Sequence, residues 1–99
     1  MYVILWEYVV APGKANDFVR AYGPDGVWAE LFGRAEGFLG VELYQQEDET
    51  ARYLTIDRWR TAEDFEGFKA QFGPEYHRLD DELGHLTLEE DRIGAFAAA

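Results

Sequence analysis

The run Tyr2 to Val10 (YVILWEYVV) restricts the fold most, because β-branched and aromatic side chains fill it and the turn sequence Ala11-Pro12-Gly13 ends it. It predicts a β-strand, whose side chains alternate between two faces. One face carries Tyr2, Ile4, Trp6, Tyr8 and Val10. The other carries Val3, Leu5 and Val9 with Glu7. A sheet with one wetted face should make one of these sets polar, so this strand is expected to be covered on both sides.

Helical spacing follows the first strand. Beyond Lys14, one predicted helical face carries Phe18, Val19 and Tyr22, and a second short helix carries Trp28, Leu31 and Phe32. Residues 38–46 and 52–60 then predict two strands. The polar residues 47–51 between them suit an antiparallel hairpin.

The last third of the chain predicts two helices and a strand. Thr61 is a predicted N-cap, and Asp64 completes a capping box with a shorter acid than usual. The first helix carries Phe65, Phe68 and Phe72 and ends at Gly73-Pro74. Pro74 then begins a second helix with an apolar stripe of Tyr76, Leu79 and Leu83. Residues 86–96 predict the final strand.

The order strand, helix, strand, strand, helix, strand predicts an α+β, ferredoxin-like βαββαβ fold with a four-stranded antiparallel sheet and helices on one face. The whole chain, 1–99, is expected to form this single domain. Strand three repeats the two-sided pattern of strand one, with Leu54 and Ile56 opposite Tyr53, Thr55 and Trp59. A second copy of the chain would cover the remaining face, which predicts a homodimeric α+β barrel.

Charge and composition exclude several classes of function. Twenty acidic against nine basic residues give a net charge of −11, which disfavours nucleic acids and anionic membranes as partners. Without cysteine, and with only two histidines, no metal site is expected. No stretch approaches the ~18 apolar residues of a transmembrane helix. We therefore expect a soluble, cytoplasmic protein.

Several segments together resemble one known family. They are Pro12-Gly13-Lys14 before a helix with Phe18, Gly37-Phe38-Leu39-Gly40, the run YLTIDRW from Tyr53 to Trp59, the helix start Thr61-Ala62-Glu63-Asp64-Phe65, and Tyr76-His77. This pattern, over essentially the whole chain, resembles the antibiotic biosynthesis monooxygenase (ABM) family of dimeric α+β barrels. The resemblance implies a homodimer with one pocket per subunit, between sheet and helices.

The resemblance also implies two kinds of chemistry. Some members oxidise phenolic polycyclic compounds with O₂ and without metal or flavin, whereas others degrade heme. The heme-degrading branch uses an asparagine, a tryptophan and a histidine, and these align with Trp6, Phe68 and His77. Only the histidine matches, which makes heme degradation the weaker reading. We therefore expect no cofactor.

His77 is the candidate catalytic residue, because an imidazole can accept a proton near neutral pH. Loss of a proton from a phenol or hydroquinone leaves an anion that can itself reduce O₂. The alternative for His77 is a surface residue paired with Asp80 or Asp81. His85, near a helix end, is interpreted as structural. The candidate substrate-binding residues are aromatic: Trp6, Tyr8, Trp28, Phe32, Phe65, Phe68, Phe72 and Tyr76. Their alternative role is core packing.

Three carboxylates, Glu7, Glu42 and Asp57, lie within apolar strands. Each should therefore meet an arginine or have a raised pKa. Arg58 and Arg92 are the available partners, and an ion pair across the dimer is favoured over a catalytic acid.

Two functions remain open: a cofactor-independent monooxygenase acting on an aromatic, ionisable small molecule, or a non-catalytic barrel that binds an apolar ligand. A cavity of several hundred Å³ against His77 would favour the first.

Overall fold

A computed structural model describes all 99 residues and contains the four predicted strands in the predicted order, with helices between the first and second strands and between the third and fourth. The strands are β1 (Tyr2–Val10), β2 (Phe38–Gln45), β3 (Arg52–Trp59) and β4 (Thr87–Ala97). The helices are α1 (Ala15–Tyr22), α2 (Val27–Phe32) and α3 (Ala62–Leu83), and a short 3-10 turn (Gly84–Leu86) precedes β4. None of the helices is both long and apolar enough to cross a bilayer.

The four strands form one antiparallel sheet in the order β2-β3-β1-β4. The two strands with the most two-sided apolar pattern, β1 and β3, are therefore the central pair. This confirms the ferredoxin-like α+β fold.

The inner face of the sheet carries the core. Along β3, buried Tyr53, Thr55, Asp57 and Trp59 alternate with half-exposed residues. Trp59 has no exposed surface, and its ring lies 5.6 Å from that of Phe65 and 5.5 Å from that of Phe68. Trp59 thus anchors the first turns of α3 to the end of β3.

The outer face of the sheet is also rich in apolar side chains. Half-buried Leu5 on β1 lies opposite half-buried Ile56 on β3. Toward the two edges, Tyr44 on β2 and Phe96 on β4 are 52% and 50% exposed. The prediction of large apolar groups on both faces is confirmed, and no segment of this chain covers the outer one.

The helix after β3 differs from its prediction. Instead of two helices, α3 is a single helix with a kink at Phe72 (φ −118°, ψ 20°), just before Gly73 and Pro74. Proline removes one helical hydrogen bond and its ring crowds the preceding turn, which bends the helix here without ending it.

Two local predictions are corrected in part. Val19 was expected on the buried face of α1, but it is 44% exposed, whereas Phe18 and Tyr22 are buried. Thr61 caps α3 as predicted, because its Oγ1 accepts the Asp64 backbone N–H at 3.1 Å. The Asp64 carboxylate instead accepts a hydrogen bond from Arg60 Nε at 3.2 Å. The second half of the capping box is therefore absent.

Gly37 is the position where we expect a single methyl group to disturb the fold most. Its φ is +87°, and an added Cβ would lie 2.0 Å from Asp64 Oδ2. Its carbonyl also accepts the Arg60 N–H at 2.7 Å, so the backbone has little freedom to shift. Gly37→Ala is expected to lower the free energy of unfolding by about 2–4 kcal/mol, measured by urea denaturation.

The matched control is Gly67→Ala, within α3, where an added Cβ meets nothing within 4 Å. That change should raise stability by up to about 1 kcal/mol, because alanine is the better helix former. Equal effects of the two substitutions would contradict the assignment of strain to Gly37.

Candidate functional site

A cavity of about 340 Å³ lies between the inner face of the sheet and the helices. Its volume is in the range of small-molecule sites. Of the nine residues predicted to form the site, seven line it: Trp6, Tyr8, Trp28, Phe32, Phe65, Tyr76 and His77. Aromatic side chains therefore surround the cavity as well as filling the core.

The other two predicted residues, Phe68 and Phe72, are not part of the cavity lining. Phe68 is fully buried, with its ring 5.0 Å from that of Phe32 and 5.7 Å from that of Phe72. Phe72, at the kink of α3, packs half-buried against the core. Both side chains fill the space between α3 and the sheet, which corresponds to core packing.

The cavity has a buried floor and an exposed mouth. Ile4 and Thr55, from the central strands, are 2% and 3% exposed and belong to the floor. The exposed lining residues come from α3 and the edge strand β4: Lys69, His77, Glu90 and Arg92. The entrance therefore lies between α3 and β4.

Asp57 is the one carboxylate on the cavity floor. It sits on β3 opposite Ile4 of β1 and Val41 of β2, so apolar strands flank it on both sides. It is 9% exposed, and its carboxylate forms neither a hydrogen bond nor an ion pair. Burial alone raises its pKa from the ordinary 3.8 to about 7. Asp57 can therefore both hold and release a proton near neutral pH.

The other two strand carboxylates are paired, and both pairs lie within one chain. Glu7 binds Arg52, and Glu42 accepts hydrogen bonds from Arg58 at 3.0 and 3.1 Å. Each of the three carboxylates thus either meets an arginine or has a raised pKa, as expected, but the predicted partners are only partly correct. Arg58 binds Glu42 within the chain, whereas Glu7 binds Arg52, and Arg92 forms no ion pair. Only Asp57 has no arginine partner and a raised pKa.

Three tyrosines of the lining keep their hydroxyl protons. Burial raises the pKa of Tyr8, Tyr22 and Tyr76. For Tyr8, the neighbouring Thr55 hydroxyl opposes this effect without outweighing it. At neutral pH these phenols are therefore protonated, so they can donate hydrogen bonds but cannot act as bases.

Trp28 lies in the cavity wall, but its indole nitrogen does not face the open space. Its side chain is 6% exposed, and the nitrogen itself is fully buried without a well-formed hydrogen bond. The N–H lies near the Tyr22 hydroxyl, where it opposes the effect of burial on the pKa of that tyrosine. Trp28 therefore supplies apolar wall to the cavity and no donor to a ligand.

His77 lies at the mouth of the cavity and is exposed to solvent. Its ring meets that of Tyr76 edge-on, with 5.7 Å between centroids. It forms no ion pair with Asp80 or Asp81, which was the alternative interpretation. His85, in contrast, is outside the lining, and its Nδ1 lies 3.0 Å from the Glu82 carbonyl oxygen, consistent with a structural role.

The sequence prediction missed several polar members of the lining: Thr55, Lys69, Asp80, Glu90 and Arg92. A signal existed for Thr55 and Asp57, because strand alternation places both on the face of Tyr53 and Trp59. The residues of the mouth come from the edge strand β4 and the kinked helix α3. The alternation pattern of a strand does not predict how such a helix is placed against it.

Comparison with known proteins agrees with this architecture. The family model described as antibiotic biosynthesis monooxygenase matches residues 1–79. A search among curated proteins finds no match.

Among solved structures, SnoaB, a cofactor-independent oxygenase from Streptomyces nogalater, is 24% identical with a TM-score of 0.72, and the alignment covers 99% of this chain and 92% of that one. A conserved protein from Methanosarcina mazei Go1 is 12% identical with a TM-score of 0.71, covering 99% and 92%. At these identities the structures establish a shared fold. Because the family match spans most of the sequence, the chain belongs to the antibiotic biosynthesis monooxygenase family.

Proposed function

We propose that this protein is a cofactor-independent monooxygenase that acts on an aromatic, ionisable small molecule. The observation that carries the proposal is the unpaired Asp57 carboxylate on the floor of an aromatic cavity. Retaining a buried carboxylate without a partner destabilises the fold, and active sites are where such groups concentrate. Family membership and the fold shared with SnoaB support the same class of reaction.

The chemistry requires a base, a dry pocket and O₂. In an anthrone-type substrate, the Asp57 carboxylate removes one proton from the reactive CH₂ group and leaves an electron-rich anion. That anion gives one electron to O₂, and the resulting radical pair combines into a peroxide, which takes the proton back from Asp57.

Asp57 then removes the second proton from the same carbon. The O–O bond breaks, a ketone forms, and hydroxide leaves to become water with the proton that Asp57 releases. The substrate CH₂ group and O₂ are thereby converted to C=O and H₂O, with no further reductant.

The rest of the lining supports this sequence of steps. The rings of Trp6, Phe32 and Phe65 offer flat apolar walls for a planar substrate. The protonated Tyr8 hydroxyl is a donor for a developing oxyanion. Its burial strengthens that interaction, because water does not compete for the same oxygen.

We propose that His77 carries protons between the cavity mouth and solvent, because His77 is exposed whereas Asp57 is buried. A water molecule can carry protons in its place. His77→Ala is therefore expected to lower kcat/KM for anthrone by no more than about 10-fold, below the usual contribution of a general base.

His85→Ala, outside the lining, is the matched control and should leave kcat/KM unchanged. A loss of 100-fold or more in His77→Ala would instead make His77 the general base, as its residue type predicts.

The reaction class is tested by O₂ uptake with anthrone, followed by mass spectrometry of the product formed under ¹⁸O₂. We expect uptake above the rate in buffer, one O₂ consumed per anthraquinone, and one ¹⁸O in each product molecule. Release of hydrogen peroxide, with no ¹⁸O in the product, would indicate an oxidase. Saturable binding without any uptake would indicate the non-catalytic ligand-binding barrel.

We also propose that the active form is a homodimer joined through the outer face of the sheet. Exposed apolar surface of this extent is typical of interfaces between subunits, and a two-fold axis lets one face serve both partners. The dimer would leave the cavity free, because the cavity lies on the opposite face of the same sheet.

A further inference from the structure

Arg92 is a basic residue at the cavity mouth that no acidic group neutralises. The chain has only nine basic residues, and six of them are in ion pairs. The three without one are Lys14, Arg78 and Arg92. Of these, only Arg92 lines the cavity. An arginine that stays unpaired among 20 acidic residues is available to a ligand.

The strand geometry explains why the acidic neighbours of Arg92 do not bind it. Asp91 pairs with Glu7 in the sheet register, so its side chain belongs to the outer face. Glu90 shares the inner face, but its carboxylate accepts a hydrogen bond from the Thr87 hydroxyl at 3.2 Å. The guanidinium of Arg92 therefore keeps its donors free.

The mouth carries charged groups of both signs. Lys69, which binds Glu66 at 3.1 Å, holds its ammonium 5.0 Å from the centre of the Phe65 ring, beside the cavity. Asp80 of α3 and Glu90 of β4 also line the mouth, and burial together with Asp80 raises the pKa of Glu90. An anionic ligand group is therefore favoured only where it reaches Arg92 and avoids these two carboxylates.

We propose that Arg92 binds a carboxylate on the aromatic substrate, with the ring system inside the cavity and the carboxylate at the mouth. This inference rests on the proposed function, whose substrate class it narrows. Arg92 lies opposite Trp6, and Trp6 lies opposite Thr55 on β3, the strand that carries Asp57. Two strand spacings, roughly 10 Å, separate β4 from β3. A fused aromatic ring system spans that gap, so one end meets Asp57 while the other meets Arg92.

The test is binding, measured by calorimetry at pH 6 with three probes of nearly equal shape: 2-naphthoate, 2-naphthamide and 2-naphthylmethylammonium. We expect the unmodified protein to bind the naphthoate about 10- to 100-fold more tightly than the amide, since a hydrogen bond to a charged group is worth that much. Arg92→Gln should lose this preference without weakening binding of the amide, and Arg92→Lys should retain part of it.

Arg78→Gln is the matched control, because Arg78 is also unpaired and exposed but lies outside the lining. It should leave all three affinities unchanged. The proposal is overturned if the naphthoate binds no better than the amide, if the ammonium binds most tightly, if none of the probes binds, or if Arg92→Gln weakens the naphthoate and the amide equally. Anthrone turnover is measured separately, so a carboxylate preference without O₂ uptake would reject the oxygenase and keep the anion site.

Discussion

Asp57→Asn is expected to make the protein more stable at pH 8 and to lower kcat/KM for anthrone by at least about 100-fold. The loss of activity follows from removing a general base, which contributes 10²- to 10⁴-fold. The gain in stability follows from burial, because at pH 8 the folded protein must keep an ionised carboxylate in an apolar setting without a partner.

The direction of the pH effect comes from the raised pKa of Asp57. Between its ordinary value of 3.8 and about 7, the folded state holds a proton that the unfolded state releases. This contribution to stability is fully present below about pH 4 and is lost as the pH rises through 7. At 1.36 kcal/mol per pKa unit, the loss is roughly 4 kcal/mol.

Asp57→Asn should therefore be more stable than the unmodified protein by about 2–4 kcal/mol at pH 8, and the two should converge near pH 4. Urea denaturation at both pH values measures this. Asp57 contributes to the raised pKa of Tyr8 and Tyr76, but both phenols are protonated at pH 4 and pH 8 with or without it, so they add nothing to the difference. The remaining ionisable groups of the lining are present in both proteins: Tyr22, Lys69, His77, Asp80, Glu90 and Arg92.

Asp81→Asn, exposed and outside the cavity, removes the same charge and serves as the control. It should change neither activity nor the pH dependence of stability. Retention of full activity by Asp57→Asn would remove Asp57 from the mechanism.

Ile56→Glu is expected to convert the proposed dimer to a monomer. Ile56 lies at the centre of the outer face, between Leu5 of β1 and Glu42 of β2. A two-fold interface would bury one new carboxylate from each subunit, each without a partner. At about 3 kcal/mol or more per charge, the dimer dissociation constant should rise at least ~10³-fold.

Sedimentation at micromolar concentration measures the change. The unmodified protein should sediment at twice the 11.4 kDa of one chain, and Ile56→Glu at 11.4 kDa with an unchanged circular dichroism spectrum. Val19→Glu is the control, because Val19 is an exposed apolar residue that lies on α1, away from the outer face of the sheet. A single-chain mass for the unmodified protein would contradict the dimer.

Most of the fold could be predicted from the sequence because local signals agree with one another. The bounds of β1 match the prediction because Pro12 and Gly13 end the apolar run sharply. The Gly73-Pro74 pair predicts a helix end where the structure has a kink, because proline is compatible with both a helix start and a kink. The predicted position of Val19 on the buried face is wrong because an eight-residue helix buries only a narrow stripe.

The cavity could be predicted only in part. Aromatic spacing indicates which residues face inward, but it does not separate the residues of a cavity wall from those of the core. Phe68, which is in the core, and Trp28, which is in the cavity wall, therefore give the same signal. Asp57 has no arginine partner, and predicting this requires knowing which carboxylates the arginines of the sheet bind. Arg58 goes to Glu42, on the opposite face of the sheet from Asp57, and this follows from alternation together with the register of β2 against β3.

The central claim is that the cavity holds a desolvated, unpaired carboxylate ready to accept a proton near neutral pH. The most direct measurement is a ¹³C NMR titration of aspartate side-chain carboxyl groups from pH 3 to pH 9, with the Asp57 signal assigned by its absence in Asp57→Asn. The structure predicts a titration midpoint of about 7 for Asp57. A midpoint near 3.8, the value of an ordinary solvated aspartate, would contradict it.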